Sequence, residues 1–363
     1  MQTKKSLFAF AVTASFCGAA FAQASITIYG ITDVSMRRQI NPLGSVRTSG
    51  APGGNTWSMV SGWANGSRIG FKGVEDLGGG SNAHFVLESG FSIDTGAVSD
   101  SNSLFNRSAY VGVGGAWGTL DMGRQYSVAF KTMTDYDPFR MQYSSLIPLA
   151  LVTPGSPGSS GCLPLTGGGC ARFNNDVQYS GTFGNVTARA EYAFGEVAGS
   201  TRTGAAQAVG LRYASGPLSA GGAYTQQKTA ADFDKQAYTV GAAYSIGPVR
   251  ISLGYNNDKA ETATVDTKIK SAWGGLSYQI TPAFTLTGAY YQTKVSSAVS
   301  ATRPTGKEKS DFYMIEAKYA LSKRTSLYAE IDRNKWSRGI FFLPTTAPGV
   351  TQTGVSVGIN HRF

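Results

Sequence analysis

Histidine, cysteine and long apolar runs are what this chain of 363 residues has least of. The two histidines are His84 and His361, the second within three residues of the end, which leaves little for general-base or metal chemistry. His84 has the opposite parity to Phe85 and Leu87, so a solvated or hydrogen-bonded imidazole reads better there than a catalytic base. No Gly-x-Ser-x-Gly elbow stands between a strand and a helix. Gly78-Gly79-Gly80 is a hairpin turn and not a phosphate cradle, because no helical pattern follows it. The reading is therefore no enzyme, no cofactor and no metal.

Past the N-terminus, no apolar run is long enough for a transmembrane helix. The mean hydropathy of −0.12 would by itself suggest a soluble secreted protein. A barrel strand turns only alternate residues toward lipid, so neutral hydropathy does not exclude a membrane. The net charge is +10, yet it is scattered without a basic run. With export, that argues against nucleic acid. Inside a pore, a positive excess attracts anions.

Residues 1–22 read as a secretory leader. Lys4 and Lys5 give the basic start, Leu7 to Ala14 the apolar stretch and Ala20-Phe21-Ala22 the cleavage signal, with Ala24 as an alternative site. A lipoprotein reading is weaker, because Cys17 follows Ser15-Phe16 and not small residues. Residues 23–363 then form one domain. They keep Cys162 and Cys170, eight positions apart across Gly167-Gly168-Gly169, which suggests a disulfide in an exported protein. Two thiols alone do not make a zinc site.

What the chain has in quantity is glycine, at 46 residues, and aromatics, at 12%. Its dominant pattern is period 2. Val355, Val357, Ile359 and Phe363 share one face near the C-terminus, against Gly354, Ser356, Gly358, Asn360 and Arg362. Val249, Ile251, Leu253 and Tyr255 alternate with Arg250, Ser252 and Gly254. Tight turns at Ser215-Gly216-Pro217, Ile246-Gly247-Pro248, Ile280-Thr281-Pro282 and Leu321-Ser322-Lys323 separate such runs, and longer polar connections lie between them.

Strands are expected at 25–37, 66–77, 82–93, 107–115, 118–125, 175–183, 186–195 and 206–215. Eight more fall at 218–228, 236–246, 249–258, 268–280, 284–294, 310–321, 325–336 and 352–363. Sixteen strands predict an all-β fold, a closed antiparallel transmembrane barrel wide enough for water. Residues 126–172 break the rhythm with Pro138, Pro148, Pro154, Pro157 and Pro164, and a connection this long is usually functional or disordered.

At Ala24–Gly30, Ser67–Gly79, Asn106–Gly112, Gly118–Gln125 and Asn360–Phe363 the chain resembles the general diffusion porins of Gram-negative bacteria, in particular the β-proteobacterial trimeric porins. The resemblance implies a passive outer-membrane channel for small ions and solutes, a homotrimer, contact with outer-membrane lipid and lipopolysaccharide, and a C-terminal Phe363 read by the barrel-insertion machinery. It implies that loop 126–172 folds inward and narrows the pore. By motif position Arg68, Arg107 and Arg172 would form a basic wall, facing Asp135 and Asp137 on the loop. Many enteric members carry Pro-Glu-Phe here; this chain has Pro138-Phe139-Arg140, which favours anions.

Period 2 tests these residues independently. Arg68 alternates with Ile69 and Phe71 and should face water. Arg107 shares parity with Ala109 and Val111 at a strand start, so its direction stays open, as does that of Arg172. Arg189, Arg212 and Arg250 alternate with apolar neighbours and belong to the lumen, since a charge facing lipid at mid-membrane costs about 2–4 kcal/mol. Tyr192, Tyr213, Tyr224, Tyr244, Tyr255 and Tyr278 fit girdles, while Tyr291 and Tyr328 have lumen parity. Gly30, Gly112, Gly114 and Gly115 suit close packing of walls in a trimer. A substrate-specific channel is the runner-up, and a rim-located hydrolase or an adhesin barrel is the alternative from another class. The cysteines supply a first test: thiol titration of the purified, unreduced chain should find no free thiol, and two free thiols would exclude the Cys162–Cys170 bridge.

Overall fold

The computed structural model describes residues 25–40, 55–143, 171–229, 231–261, 266–297, 307–336 and 350–363. The leader, Cys162, Cys170 and the loop segment 144–170 lie outside the described residues. The first elements are β1 (Ser25–Ile40), β2 (Thr56–Ser61), β3 (Arg68–Gly78), β4 (Ser81–Gly90), β5 (Ser108–Gly115) and β6 (Gly118–Tyr126). One helix follows, α1 (Val128–Thr134). Then come β7 (Arg172–Phe183), β8 (Val186–Ala193), β9 (Ala206–Ser215), β10 (Leu218–Lys228), β11 (Asp234–Ile246) and β12 (Val249–Ala260). The chain ends with β13 (Thr267–Gln279), β14 (Phe284–Ser297), β15 (Lys307–Ala320), β16 (Thr325–Trp336) and β17 (Val350–Arg362).

Consecutive strands pair antiparallel, and β1 pairs β17 from Ile31↔Arg362 to Ile40↔Thr353. The lower half of β1 pairs β3 and its upper half pairs β2, so β2 and β3 are two halves of one barrel strand. The result is the expected closed barrel of sixteen strands. Phe363 completes the seam: Gly30 N–H donates to its carbonyl at 3.1 Å, and Phe363 N–H donates back to Gly30 at 3.2 Å.

The half-strand β2 escaped the sequence pattern because the chain leaves the wall right after it. Residues 62–67 turn inward, where the Trp63 indole donates to Glu330 at 2.9 Å and Ala64 N–H donates to Asp33 at 3.1 Å. The other strand boundaries shift by a few residues at most, because alternation is a property of the wall itself.

The two faces separate by chemistry. Val209, Leu211, Leu253, Ile315, Val357 and many others lie exposed on the outer surface, where lipid belongs. The inner parity carries Asp33, Arg37, Gln178, Glu191, Glu316, Glu330 and Asp332. Gly112 and Gly114 share that inner parity, contrary to the packing role expected of them: a Cβ on Gly112 would collide with Asp121 Oδ1 and, at 2.7 Å, with His84 Nε2. Gly30 does lie on the outer parity, but there the Phe363 ring fills the space that a Cβ would take.

A lumen this wide cannot be filled by wall side chains alone. The chain fills part of it with α1 and the residues that follow. Ser127 caps the helix, its hydroxyl accepting from Phe130 N–H at 3.2 Å. Val128 and Ala129 pack on Ala208 and Ala223 of β9 and β10. The helix stops before Pro138, which cannot continue the hydrogen-bond ladder. Met133, Phe139, Met141 and Tyr143 then join Trp63, Ile269, Trp273, Tyr291, Phe312 and Tyr328 in a core inside the barrel.

Glycines on the inner wall make this seat. A Cβ would stand 2.6 Å from Val128 Cγ1 at Gly210, 2.5 Å from Tyr136 Cβ at Gly241 and 2.5 Å from Pro138 Cγ at Gly275. Side chains essentially never approach that closely, so the loop lies in a groove that only glycine leaves open. Gly241→Val should therefore lift the loop off the wall while the barrel still assembles. Single-channel conductance should rise, with unchanged heat-modifiable migration on gels; unchanged conductance in a folded variant would refute the seat.

Candidate functional site

Arg68, Arg107 and Arg172 come from three different strands or strand edges and meet on one inner wall. Arg68 Nη1 lies 3.7 Å and Arg107 Nε 2.6 Å from Glu88 Oε1. Arg107 also donates to the Tyr126 hydroxyl at 2.8 Å. Arg172 donates to the same hydroxyl, and its guanidinium sits 3.9 Å from the Tyr126 ring centroid. Tyr29 donates to the other Glu88 oxygen at 3.0 Å, and Phe130 of α1 stacks on Tyr126 at 4.4 Å. Arg107 thus turns inward despite its outward parity, because it precedes the first regular residue of β5 and its long side chain reaches round to Glu88. Sequence reasoning missed Glu88, Tyr126 and Tyr29. The parity of Glu88 with Gly90 and Val86, opposite to Leu87, was the one local signal for it.

The loop acids are disposed differently from the expected opposing wall. Asp135 Oδ2 lies 2.9 Å from Arg212 Nε, and the Asp135 carbonyl accepts from Arg250 at 2.5 Å. Arg189 is near enough to interact electrostatically with both Asp135 and Arg212. The lumen arginines of β8, β9 and β12 are therefore partners of the loop. Asp137 is 1% exposed and faces no water. It accepts from the Tyr291 hydroxyl and, at 2.7 Å, from Met141 N–H. Burial pushes its carboxyl up to about 6, against the pull of those donors. Arg140 is exposed beside it, in a left-handed conformation with φ of 53°, as are Met141 and Tyr143 with φ of 57°. Such conformations cost about 1–3 kcal/mol each and persist only where surrounding structure holds them. Here the tethers are the Asp137 bonds and Tyr143 N–H donating to Ala64 O at 2.8 Å.

Further polar ties bind α1 to the wall. Glu191 accepts from Val128 N–H at 2.9 Å and from Gln178 at 2.8 Å, and Lys131 donates to Gln125 at 3.1 Å. Tyr291 and Tyr328, the two aromatics of lumen parity, are 1% and 2% exposed. His84 lies 2.7 Å from Asp121 Oδ1, a hydrogen-bonded imidazole on the inner wall.

An apolar exterior, a charged interior and a loop seated across the lumen define a water-filled channel through an outer membrane. The comparisons agree. The profile of the Gram-negative porin family matches residues 9–338. Outer membrane porin protein 32 of Delftia acidovorans is 31% identical over 383 residues, covering 99% of this chain and all of that one. An outer membrane porin protein of Bordetella pertussis is 29% identical over 413 residues, with 99% and 100% coverage. Among solved structures, the anion-selective porin from Comamonas acidovorans superposes with a TM-score of 0.74 at 26% identity, over 94% of this chain and 100% of that one. The trimer form of OmpT from Vibrio cholerae shares the fold, with a TM-score of 0.64 at 13% identity, over 94% and 99%. The chain belongs to the Gram-negative porin family and is an outer-membrane diffusion channel.

Asp137 gives this site a pH dependence with a definite sign. Its carboxyl ionises near 6 in the docked loop and near 3.8 when free, so docking favours the protonated form. That contribution is complete below about pH 3.8 and is lost as pH rises through about 6. Loop-opening noise in single-channel current should grow across this window in the parent protein. Asp137→Asn should flatten the dependence, and an identical slope in that variant would remove Asp137 as its source.

Proposed function

We propose that this porin passes small hydrophilic solutes passively, prefers anions, and works as a homotrimer without catalysing a reaction. The observation that carries the preference is the wall cluster: Arg68, Arg107 and Arg172 gather around Glu88 and the Tyr126 hydroxyl. The acids expected to oppose them are engaged elsewhere, Asp135 with Arg212 and Asp137 in the loop core, while Arg140 stays exposed. The wall cluster and Arg140 thus present positive charge with no loop acid facing them across the water, and field focusing by the low-dielectric wall would concentrate anions there. The selectivity named for the Comamonas acidovorans porin accords with this reading.

General diffusion is favoured over a solute-specific channel because Tyr291 and Tyr328 are engaged with Asp137 and Asp33 and offer no stacking track. Trimerisation is what the resemblance to trimeric porins implies, and OmpT, which shares the fold, has a trimer form. Phe363 is assigned the C-terminal assembly signal because it terminates the seam strand with its ring on the outer face, where the insertion machinery would read it. The outer-leaflet lipid would be lipopolysaccharide.

Planar-bilayer recordings test the preference. In a KCl gradient the reversal potential should report chloride selectivity at low salt and shrink toward 1 M, where the screening length is about 3 Å. Arg68→Ala should lower the preference and Asp135→Asn should raise it. A cation-selective parent channel would overturn the charge argument while leaving the channel itself intact.

A further inference from the structure

We infer that the outer face of β13–β16, at its extracellular end, is a docking surface for the phosphate groups of lipopolysaccharide. The inference rests on the outer-membrane channel reading. Lys268 and Lys270 on β13, Lys294 on β14, Lys309 on β15, and Arg333 and Lys335 on β16 are all exposed. They share parity with the outward apolar residues of their own strands, Leu276, Leu286, Ile315 and Ile331. All six therefore point away from the lumen.

The register sets like charges face to face. Lys270 lies opposite Lys294, and Lys294 lies opposite Lys309, across three neighbouring strands. On the next rung Lys268 faces Lys259 of β12. Directly opposed side chains on one sheet face stand about 5 Å apart, and like charges at that spacing repel. Among the described residues, Asp311 lies 2.9 Å from Lys309 and Glu261 lies 2.7 Å from Lys259. Asp311 also accepts from Tyr290 at 2.5 Å. Asp311 also stands opposite Lys335 on β16, and Asp234 and Asp266 act on Lys259. The basic side chains of the row still outnumber these carboxylates, which leaves it net positive.

Its height on the barrel identifies the occupant. Tyr290 and Tyr313 pack at 4.8 Å on the same outer face and mark an interfacial girdle. Lys294 and Lys309 stand four residues beyond them, about 13 Å along a tilted strand, at headgroup level on the extracellular side. A phosphate monoester brings more than one negative charge and several acceptor oxygens, so one group can bridge opposed ammonium ions. Another copy of the chain meeting this row through the same face would bring the same positive charges and be repelled.

The test uses the purified full-length porin in detergent. Lys268→Gln, Lys270→Gln, Lys294→Gln and Lys335→Gln are combined in one variant, and a second variant carries Lys→Arg at the same positions. Binding is measured to phosphorylated lipid A, to enzymatically dephosphorylated lipid A and to phosphatidylglycerol vesicles. The parent and the arginine variant should bind phosphorylated lipid A, and the glutamine variant more weakly by well over about tenfold, as removal of four surface charges implies. Conductance should stay at the parental value in both, and Arg68→Ala should bind lipid A normally. Equal affinity in the glutamine variant, or parental binding that ignores the phosphates or treats phosphatidylglycerol alike, would overturn the inference. Because conductance and lipid binding are read separately, failure here is distinguishable from failure of the channel reading.

Discussion

Everything in this molecule depends on the absence of water around its outer wall. Lipid offers no partner to a backbone N–H or carbonyl, so the sheet must close, and the β1–β17 seam is where it does so. Closure then dictates alternation. Each strand sends every second residue to lipid, which must be apolar, and the others to an interior that need not be. The last residue takes part: Phe363 pairs its backbone with Gly30 and lays its ring over that glycine, extending the apolar surface across the seam.

A closed wall of sixteen strands creates a second problem, an interior too wide for side chains to fill. The chain answers with its own loop. Packing against the wall of β13–β16 supplies the adhesion, and the inner-wall glycines supply the room. The polar ties fix position: Glu191 holds the start of α1, Arg212 and Arg250 hold Asp135, and Tyr291 holds Asp137. Left-handed Arg140, Met141 and Tyr143 are tolerable only because these anchors lie on either side of them. The inward turn at Trp63 and Ala64 is part of the same device, since Ala64 O receives Tyr143 N–H.

The wall was legible in the sequence because strand alternation is local. Turn residues bounded each run, and the parity of Arg68 followed from its immediate neighbours. What the sequence concealed was everything that depends on reach between distant segments. Arg107 carries outward parity yet turns inward, because irregular residues at a strand start are released from the pleat. Asp137 looked like an exposed acid beside a proline, but its neighbours Phe139 and Met141 bury it against Tyr291. Gly112 and Gly114 read as small outer-wall residues because glycine has no side chain with which to declare its face. Half-strand β2 was hidden by the inward turn that follows it.

The electrostatics of the channel follow from where those acids went. A loop acid exposed to the lumen would set negative charge across the water from the arginine wall and divide the pore between cations and anions. In this chain the loop acids do structural service: Asp135 pairs with Arg212, and Asp137 is buried and accepts from Tyr291 and Met141 N–H. The arginine cluster keeps Glu88 beside it, a carboxylate that orders Arg68 and Arg107 without cancelling both. Burial against low-dielectric wall strengthens what charge remains, since little solvent lies between it and a passing ion. The same reasoning applies outside the barrel with a different consequence. On the outer face at headgroup level Asp311 and Glu261 pair with Lys309 and Lys259, but basic side chains outnumber such carboxylates there. Phosphate groups of the membrane would supply the balance.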